Sequence, residues 1–271
     1  QPFESLQRAT AEGLPIAPLY EGSHQAPAFA PRPFDADRPW DIRGRVTHPD
    51  AAQANTDLTT DLEGGAASAL IRIDPTGQTG VAVGSAQGLE RVLTGVMLEL
   101  APVALDARFL GPQATDWLAA AAKGSPAAKL FFHLDPLSAF ARAGESPGPI
   151  ESHLVSAATV ARRMANSYPD AGLFLASGQV VHEAGGGEAG ELAFAIASAL
   201  TYAKALVRAG LPMQEAFAKI VLGLSADADY FATLAKLRAA RAVWSRVTAA
   251  CGVTAAPRIE ARSSHRMLAA H

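Results

Sequence analysis

Residues 172–224 read GLFLASGQVVHEAGGGEAGELAFAIASALTYAKALVRAGLPMQEAFAKIVLGL, and this stretch decides the fold. A short apolar run, Gly172–Ala176, precedes an Ala- and Leu-rich segment of helical period, Ala189–Ala209, and a second apolar run, Lys219–Leu224, follows. Gly210 comes directly after the helical segment, which is a typical stop signal. The order of strand, helix and strand predicts two parallel neighbouring strands joined by a helix.

The same alternation continues in both directions along the chain. Strands are predicted at Trp40–Val46, Ala69–Ile73, Val103–Phe109, Lys129–Leu134, Gly172–Ala176, Lys219–Leu224 and Pro257–Ala261. Helices are predicted between them at Asp50–Glu63, Ser85–Leu100, Ala114–Ala122, Ser152–Ser167, Ala189–Ala209 and Tyr230–Ala250. Seven strands separated by six helices favour a parallel sheet, for which a barrel is the usual closure. The predicted fold class is therefore α/β, a (β/α)8 TIM-type barrel truncated after its seventh strand.

Seven prolines fall within residues 1–39 and cannot be accommodated in regular helices. This segment is predicted to be an extended N-terminal arm, and residues 40–271 are predicted to form the barrel. The arm could wrap around a partner subunit or be a disordered tail, and its composition does not separate these two interpretations.

The composition limits the classes of function. An apolar fraction of 49% permits a large core, and the net charge of -3 offers no basic face for nucleic acid. A single cysteine, Cys251, excludes an internal disulfide and a thiolate metal site, so a cytoplasmic location is expected. The longest apolar stretch, Leu192–Val207, is shorter than the ~20 residues that a membrane span needs, so no membrane contact is predicted.

Polar side chains follow most of the predicted strands, where TIM barrels carry their active sites. The candidate barrel-mouth residues are Arg108, His133, Asp135, His182, Glu183, Arg262 and Ser263. Each also has an ordinary interpretation, because loop tips are polar in any soluble protein. Asp74 and Asp135 both precede a proline and could form an acid–base pair, but initiating the turn after a strand is the preferred interpretation.

A glycine-rich segment, residues 182–187, joins the fifth strand to the long helix. Its three glycines could turn backbone N–H groups toward an anion at the helix N-terminus, although the same composition suits a tight join without a ligand. The seven histidines never fall three or four residues apart on one helix, so no metal site is predicted. The residues alone indicate an α/β barrel with an unidentified ligand.

Several segments, taken in order, resemble the substrate-binding barrel of methylmalonyl-CoA mutase. The arm over Leu14–Tyr20 and the entry to the first strand, Arg38–Arg43, are similar to that family. The block His182–Tyr202 and the segment Asp229–Trp244 are also similar, the latter most specifically. Together they cover nearly the whole chain. Within the family, Leu130–Pro136 is most similar to the small, non-catalytic (beta) subunit.

Two positions depart from the pattern of the family's catalytic subunits. Those subunits carry a tyrosine where this chain has Asp35, and a histidine where it has Val180. Valine cannot donate a hydrogen bond to a substrate carbonyl, and an aspartate would repel an anionic substrate. The resemblance therefore implies that this chain has no catalytic, cofactor-binding or metal-binding residues of its own.

The family's cobalamin-binding motif, Asp-x-His-x-x-Gly, does not occur in this sequence, and family members continue into an eighth strand. The resemblance implies a small-subunit component of the adenosylcobalamin-dependent enzyme that interconverts methylmalonyl-CoA and succinyl-CoA. Such a chain would pair with a catalytic subunit as a heterodimer and reach adenosylcobalamin and acyl-CoA only through that complex. The alternative is a self-sufficient acyl-CoA isomerase subunit whose remodelled barrel-mouth site uses His182, His133 and Arg108.

The basic residues Lys236, Arg238 and Arg241 of the last predicted helix have two interpretations. They could bind the phosphates of CoA, or they could cover apolar surface with their stems and solvate the outer face. The second interpretation is preferred.

Overall fold

The computed structural model describes residues 2–10, 12–20 and 40–268 of the 271-residue chain. Near the N-terminus, a 3-10 turn at Phe3–Leu6 precedes an antiparallel hairpin of two short strands, β1 (Arg8–Ala9) and β2 (Pro15–Ile16). The predicted arm thus contains a small hairpin. Residues 21–39 of the arm, which include Asp35, lie outside the described residues.

A seven-stranded parallel sheet forms the centre of the described chain, in the order of the sequence. Its strands are β3 (Arg43–Val46), β4 (Ser68–Arg72), β5 (Val103–Asp106), β6 (Leu130–Leu134), β7 (Gly172–Ser177), β8 (Ile220–Ala226) and β9 (Arg258–Ser263). The sheet curls so that Arg43 on the first of these strands contacts Glu260 on the last. The predicted TIM-type barrel, truncated after seven strands, is therefore confirmed.

Helices lie between the strands. They are α1 (Ala51–Glu63), α2 (Ala86–Val92), α3 (Gly111–Ala121), α4 (Pro136–Ala143), α5 (Ile150–Ser167), α6 (Gln179–Glu183), α7 (Glu188–Arg208), α8 (Met213–Ala218) and α9 (Tyr230–Ala250). Several begin at a side-chain cap: Asp50, Ser85 and Asp229 each accept a hydrogen bond from the backbone N–H three residues later. Such caps satisfy N–H groups that the first helical turn leaves unpaired.

Successive side chains along the strands point to opposite faces of the sheet, and the two faces differ in character. Ile71 and Leu105 are fully buried between the sheet and the helices, where they join the main hydrophobic core. Their sequence neighbours Arg72 and Asp106 are adjacent in the β4–β5 register and project from the opposite face. The outer face of the sheet therefore carries the main core, and the inner face carries charged side chains such as Arg72 and Asp106 beside smaller apolar ones.

Helix α7 is long and apolar enough, by length and composition alone, to span a membrane. It packs against β7 and β8, and its buried residues include Tyr202, whose ring stacks on that of Phe174 at 4.6 Å between centroids. This position beneath the sheet accounts for its apolar composition.

Four predicted boundaries differ from the structure by at least three residues, and one of them is the start of the helix expected at Ala114–Ala122, which begins at Gly111. The helix expected at Ser85–Leu100 ends at Val92, because the chain turns at Gly95, whose φ of 78° is left-handed. The third strand ends at Asp106 rather than Phe109, and the first begins at Arg43 rather than Trp40. The short helices α4, α6 and α8 were not predicted.

Candidate functional site

The inner face of the barrel is crossed by ion pairs that converge on Glu260. Its carboxylate contacts the guanidinium of Arg43, lies 2.7 Å from Nε of Arg262, and lies 3.6 Å from Nε2 of His133. Arg43 also donates to Oγ of Ser68 at 3.0 Å and lies 4.7 Å from the centroid of the Phe131 ring. These contacts join side chains of β3, β4, β6 and β9 across the barrel.

Electrostatics in this cluster shift two pKa values. Burial raises the pKa of Glu260, but the interactions of its carboxylate with the protonated form of His133 and with the guanidinium groups of Arg262 and Arg43 outweigh burial and lower that pKa to about 2. The side chain of His133 is fully buried, and this desolvation lowers its pKa to about 4 despite the nearby Glu260 carboxylate. At neutral pH the cluster therefore holds an ionised glutamate beside a neutral histidine.

The rim of the barrel carries arginines around Arg72. Burial lowers the pKa of Arg72, the nearby Asp106 carboxylate raises it, and the neighbouring charges of Arg108, Arg45 and Arg142 lower it further. Arg108 is exposed and lines a concavity of about 170 Å³ at the carboxyl ends of β4 and β5. The rim therefore carries several arginines, and the carboxylate of Asp74 lines the same concavity as Arg108.

Backbone strain marks the same rim. Arg108 and His133 both have a φ of 48°, in the left-handed region that non-glycine residues rarely adopt. Arg108 lies two residues after β5 and His133 is the last residue but one of β6, and the packing around each must offset the cost of this backbone conformation.

Asp135 caps helix α4 instead of facing a substrate. It accepts hydrogen bonds from the backbone N–H of Ser138 at 3.2 Å and from the Tyr202 hydroxyl at 2.5 Å. Burial raises the pKa of Asp135 to about 6, partly offset by these two hydrogen bonds. The other aspartate before a proline, Asp74, accepts bonds from Thr76 and Thr79 in a turn. The two carboxylates thus serve separate turns.

A second buried cluster, which we call the His182 network, joins α6, α7, α9 and the end of β9. The carboxylate of Glu191, fully buried, lies 2.6 Å from Nζ of Lys236 and 3.7 Å from Nδ1 of His182. Nε2 of His182 lies 2.7 Å from Oγ of Ser264. Arg266 donates to the carbonyl oxygen of His182 at 3.0 Å. The network fixes the segment after β9 against the fifth-strand loop.

Lys236 is the residue of this network that sequence reasoning placed wrongly. Its side chain is fully buried and contacts Glu188 as well as Glu191, instead of covering apolar surface. Burial lowers the pKa of Lys236, but its hydrogen bonds to the two glutamates outweigh that effect and raise it. In the sequence, Glu188 and Glu191 are separated by one helical turn. This spacing does not identify Lys236, on another helix, as their partner.

Ligand atoms of His182, Glu188 and Asp227 lie within 4.8 Å of one another, a spacing that a metal ion could use. However, Glu188 shares the Lys236 ammonium with Glu191, and Nε2 of His182 is bonded to Oγ of Ser264. These donors are committed to partners within the chain, which makes an ion network the better description of the cluster.

The glycine-rich segment does meet an anion, and that anion comes from the N-terminal arm. Oε1 of Glu12 accepts a hydrogen bond from the backbone N–H of Ala189 at 2.9 Å, in the first turn of α7. This bond lowers the pKa of Glu12. A Cβ atom on Gly187 would lie 2.0 Å from the same carboxylate oxygen. The glycine therefore allows the arm to dock on the barrel.

The remaining candidates lie around the mouth but do not form one site. Glu183 pairs with Arg142 at 2.5 Å, Ser263 ends β9 in an exposed position, and Val180 is buried on α6. Arg262 and His133 belong to the Glu260 cluster, whereas His182 belongs to the second network. A larger, mainly apolar concavity of about 360 Å³ lies between the ends of α1 and β5, at the opposite, amino-terminal side of the strands.

Comparison with known proteins identifies the family. The model of the family described as methylmalonyl-CoA mutase matches residues 33–266. The small subunit of methylmalonyl-CoA mutase from Streptomyces virginiae is 36% identical, over 93% of this chain and 42% of its own length. The small subunit from Propionibacterium freudenreichii subsp. shermanii is 31% identical, over 92% of this chain and 40% of its own length.

The large subunit from Streptomyces virginiae is 24% identical, over 88% of this chain and 37% of its own length. The chain thus spans about two fifths of the length of the small subunits that it matches. A family match over most of the chain, together with the barrel, leads to one conclusion: the chain belongs to the methylmalonyl-CoA mutase family.

Proposed function

We propose that this chain is the barrel of a non-catalytic small subunit, which pairs with a catalytic subunit of adenosylcobalamin-dependent methylmalonyl-CoA mutase. The observation that carries the proposal is the Glu260 cluster. Arg43 on β3 bonds to Glu260 on β9 across the inner face, where a catalytic barrel would need room for its substrate, and Arg262 bonds to the same carboxylate from β9 itself. A barrel crossed by ion pairs is better suited to a structural role than to enclosing a CoA ester.

The residue at the position of the family's catalytic histidine also supports a non-catalytic role. It is occupied by Val180, which is buried on α6 and has no group that could polarise a thioester carbonyl. His182, two residues later, is 1% exposed and is bonded to Ser264. His182 is therefore a poor substitute for the family's catalytic histidine, and this argues against the self-sufficient isomerase.

The histidines near the mouth also do not fit a corrinoid, whose cobalt would need an imidazole nitrogen free to bind it. Nε2 of His182 is bonded to Ser264, and His133 is fully buried against Glu260. In the assembled enzyme the cofactor would supply radical chemistry from the catalytic subunit.

The names of the relatives support a two-subunit enzyme. Small subunits from two organisms and a large subunit from one of them are similar to this chain. The proposed partner is therefore a large-subunit type of mutase chain, and acyl-CoA would be bound only in that complex. We also propose that the complex is cytoplasmic, as the lone cysteine suggests.

A reconstitution experiment tests the proposal. The purified chain is mixed with a large-subunit type of mutase chain and adenosylcobalamin, and the products of methylmalonyl-CoA are measured with and without each component. We expect co-elution of the two chains, and turnover only where the catalytic chain is present. Turnover by this chain with cofactor alone, abolished in His182→Ala, would establish the self-sufficient isomerase instead.

A gain-of-binding variant tests the interpretation of Val180. The double variant Asp35→Tyr and Val180→His restores the two family side chains, and binding of a CoA ester is measured by calorimetry. We expect no binding to the double variant, because the Glu260 cluster still crosses the interior. Binding that appears only in this variant would mean that the barrel retains a substrate cavity.

A further inference from the structure

Side chains join the two edge strands of the sheet, β3 and β9, at two levels. Arg43 and Arg45 lie two residues apart on β3, so their side chains leave the strand on the same face. Arg43 contacts Glu260 on β9, and Nη1 of Arg45 lies 3.2 Å from Nε2 of His265, which follows β9. Because the carboxyl ends of parallel strands lie at the same end of a barrel, the second contact joins the edges at the mouth.

Residues 264–268, which we call the tail turn, are anchored firmly on the side away from β3. Ser264 is 2% exposed, donates its backbone N–H to the carbonyl oxygen of Ala226 at 2.8 Å, and places Oγ 2.7 Å from Nε2 of His182. Arg266 donates to the carbonyl oxygens of His182 and Gly186 at 3.0 and 3.1 Å. On the side facing β3, the turn is held through His265.

The contact between Arg45 and His265 requires a neutral imidazole. A guanidinium has only donors, so Nε2 of His265 must accept the hydrogen bond from Arg45. Protonation makes Nε2 a donor and places two positive charges side by side. The ion pairs of the described histidines are those of His133 and His182, so none offsets a charge on His265. Histidine gains its charge between pH 8 and pH 5, and the contact is therefore lost as the pH falls.

The anchored side of the tail turn does not share this sensitivity. Nδ1 of His182 lies 3.7 Å from the Glu191 carboxylate, and Nε2 lies 4.0 Å from that of Asp227, so a protonated His182 faces two carboxylates. Its Nε2–H can still bond to Oγ of Ser264. The charged groups around His182 come from α7, α9, the end of β8 and the tail turn: Glu188, Glu191, Lys236, Asp227 and Arg266.

From these contacts we propose that Arg45 and His265 form a pH-sensitive latch, which joins the barrel edges at the mouth when His265 is neutral and opens when it is protonated. The tail turn then pivots on the anchored Ser264, while Arg43 and Glu260 keep the edges joined toward the amino end of β3. The latch makes the opening between β3 and β9 at the mouth depend on pH. It goes beyond the subunit role proposed above, because it needs neither a partner nor a substrate.

Hydrogen–deuterium exchange, followed residue by residue by NMR, tests the latch. The backbone N–H of Leu268 donates to the carbonyl oxygen of His265 at 3.2 Å and reports on the moving end, whereas the N–H of Ser264 reports on the anchored end. Protection is measured at about pH 7.5 and about pH 5.5, corrected for the intrinsic exchange rate at each pH. A turn this short is not stable alone, so we expect the protection of Leu268 to fall about tenfold at the lower pH. That of Ser264 should change less than about twofold.

Two variants should fix the latch in opposite states. His265→Gln keeps a neutral acceptor for Arg45, so Leu268 should stay protected at both pH values. Arg45→Met removes the donor, so Leu268 should be poorly protected at both. His48→Gln is the matched control, because His48 is also exposed and follows β3 but bonds to Asp50. It should keep the pH response of the unmodified chain.

Far-UV circular dichroism shows that each protein is folded at both pH values, and His265→Gln keeps the test possible if Arg45→Met does not fold. Equal protection of Leu268 at the two pH values in the unmodified chain would refute the latch. A pH response that persisted in His265→Gln would also refute it, because another group would then be responsible. Loss of protection at Ser264 together with Leu268 would overturn the anchored pivot.

Discussion

Replacing Lys236 with methionine should destabilise the fold strongly, because it leaves a buried carboxylate without its cation. The ammonium contacts Glu188 and lies 2.6 Å from the fully buried Glu191. After the change, Glu191 keeps the backbone N–H of Ser225, at 2.5 Å, and the ring of His182, at 3.7 Å. Methionine fills much of the same volume, so the loss is mainly electrostatic.

Removing one partner of a buried ion pair costs roughly 3–5 kcal/mol. Because Ser225 still donates to Glu191, we expect the lower end of this range, about 3 kcal/mol. For a chain of this size, 1 kcal/mol corresponds to roughly 2–4 °C, so the melting temperature should fall by about 6–12 °C. Urea unfolding monitored by far-UV circular dichroism measures the free energy directly.

Lys204→Met is the matched control, since Lys204 is exposed on α7 and the substitution is identical. Its effect should stay within about 0.5 kcal/mol. The double variant Lys236→Met and Glu191→Leu should recover part of the loss, because it removes the stranded carboxylate as well. If Lys236→Met were as stable as Lys204→Met, the buried ion pair would contribute nothing and the reasoning would be refuted.

Two further changes give results of different kinds. The pKa of Asp135 rises from 3.8 to about 6 on folding, so its ionisation removes about 3 kcal/mol of stability between pH 4 and pH 6. In Asp135→Asn, the free energy of unfolding should no longer fall between pH 4 and pH 6. In Asp116→Asn, at an exposed position, the fall should remain. Gly178→Ala should lower the free energy of unfolding in urea by about 2–4 kcal/mol, because its Cβ would lie 2.2 Å from the Glu191 carbonyl oxygen. Gly124→Ala is the control and should leave that free energy nearly unchanged, because the space around Gly124 is open.

Long elements were predictable from the sequence because their periodicity repeats several times. The helix predicted at Tyr230–Ala250 has those bounds in the structure, and all seven strands of the parallel sheet were anticipated. Helices α6 and α8 were missed because five or six residues complete fewer than two turns and show no clear period. Their formation depends on packing against the barrel.

The identity of the residues at the strand ends was also predictable, but their pairing was not. His133 and His182 were both expected at one mouth, yet they belong to two separate buried clusters. The anion at the glycine-rich segment came from Glu12, which is 177 residues away from Ala189 in the chain. Contacts over such distances depend on the folded chain as a whole, and no local pattern encodes them.

The contact between Arg43 and Glu260 joins the two edge strands of the curled seven-stranded sheet. These residues are 217 positions apart and stand on the first and last strands of the parallel sheet. Barrels of this kind usually fill their interior with layers of branched apolar side chains, which pack without fixing particular partners. A buried ion pair gains little stability over apolar packing, but it penalises any arrangement that separates its charges. The charged interior therefore favours one curvature of the sheet, and that same constraint limits the room for a substrate.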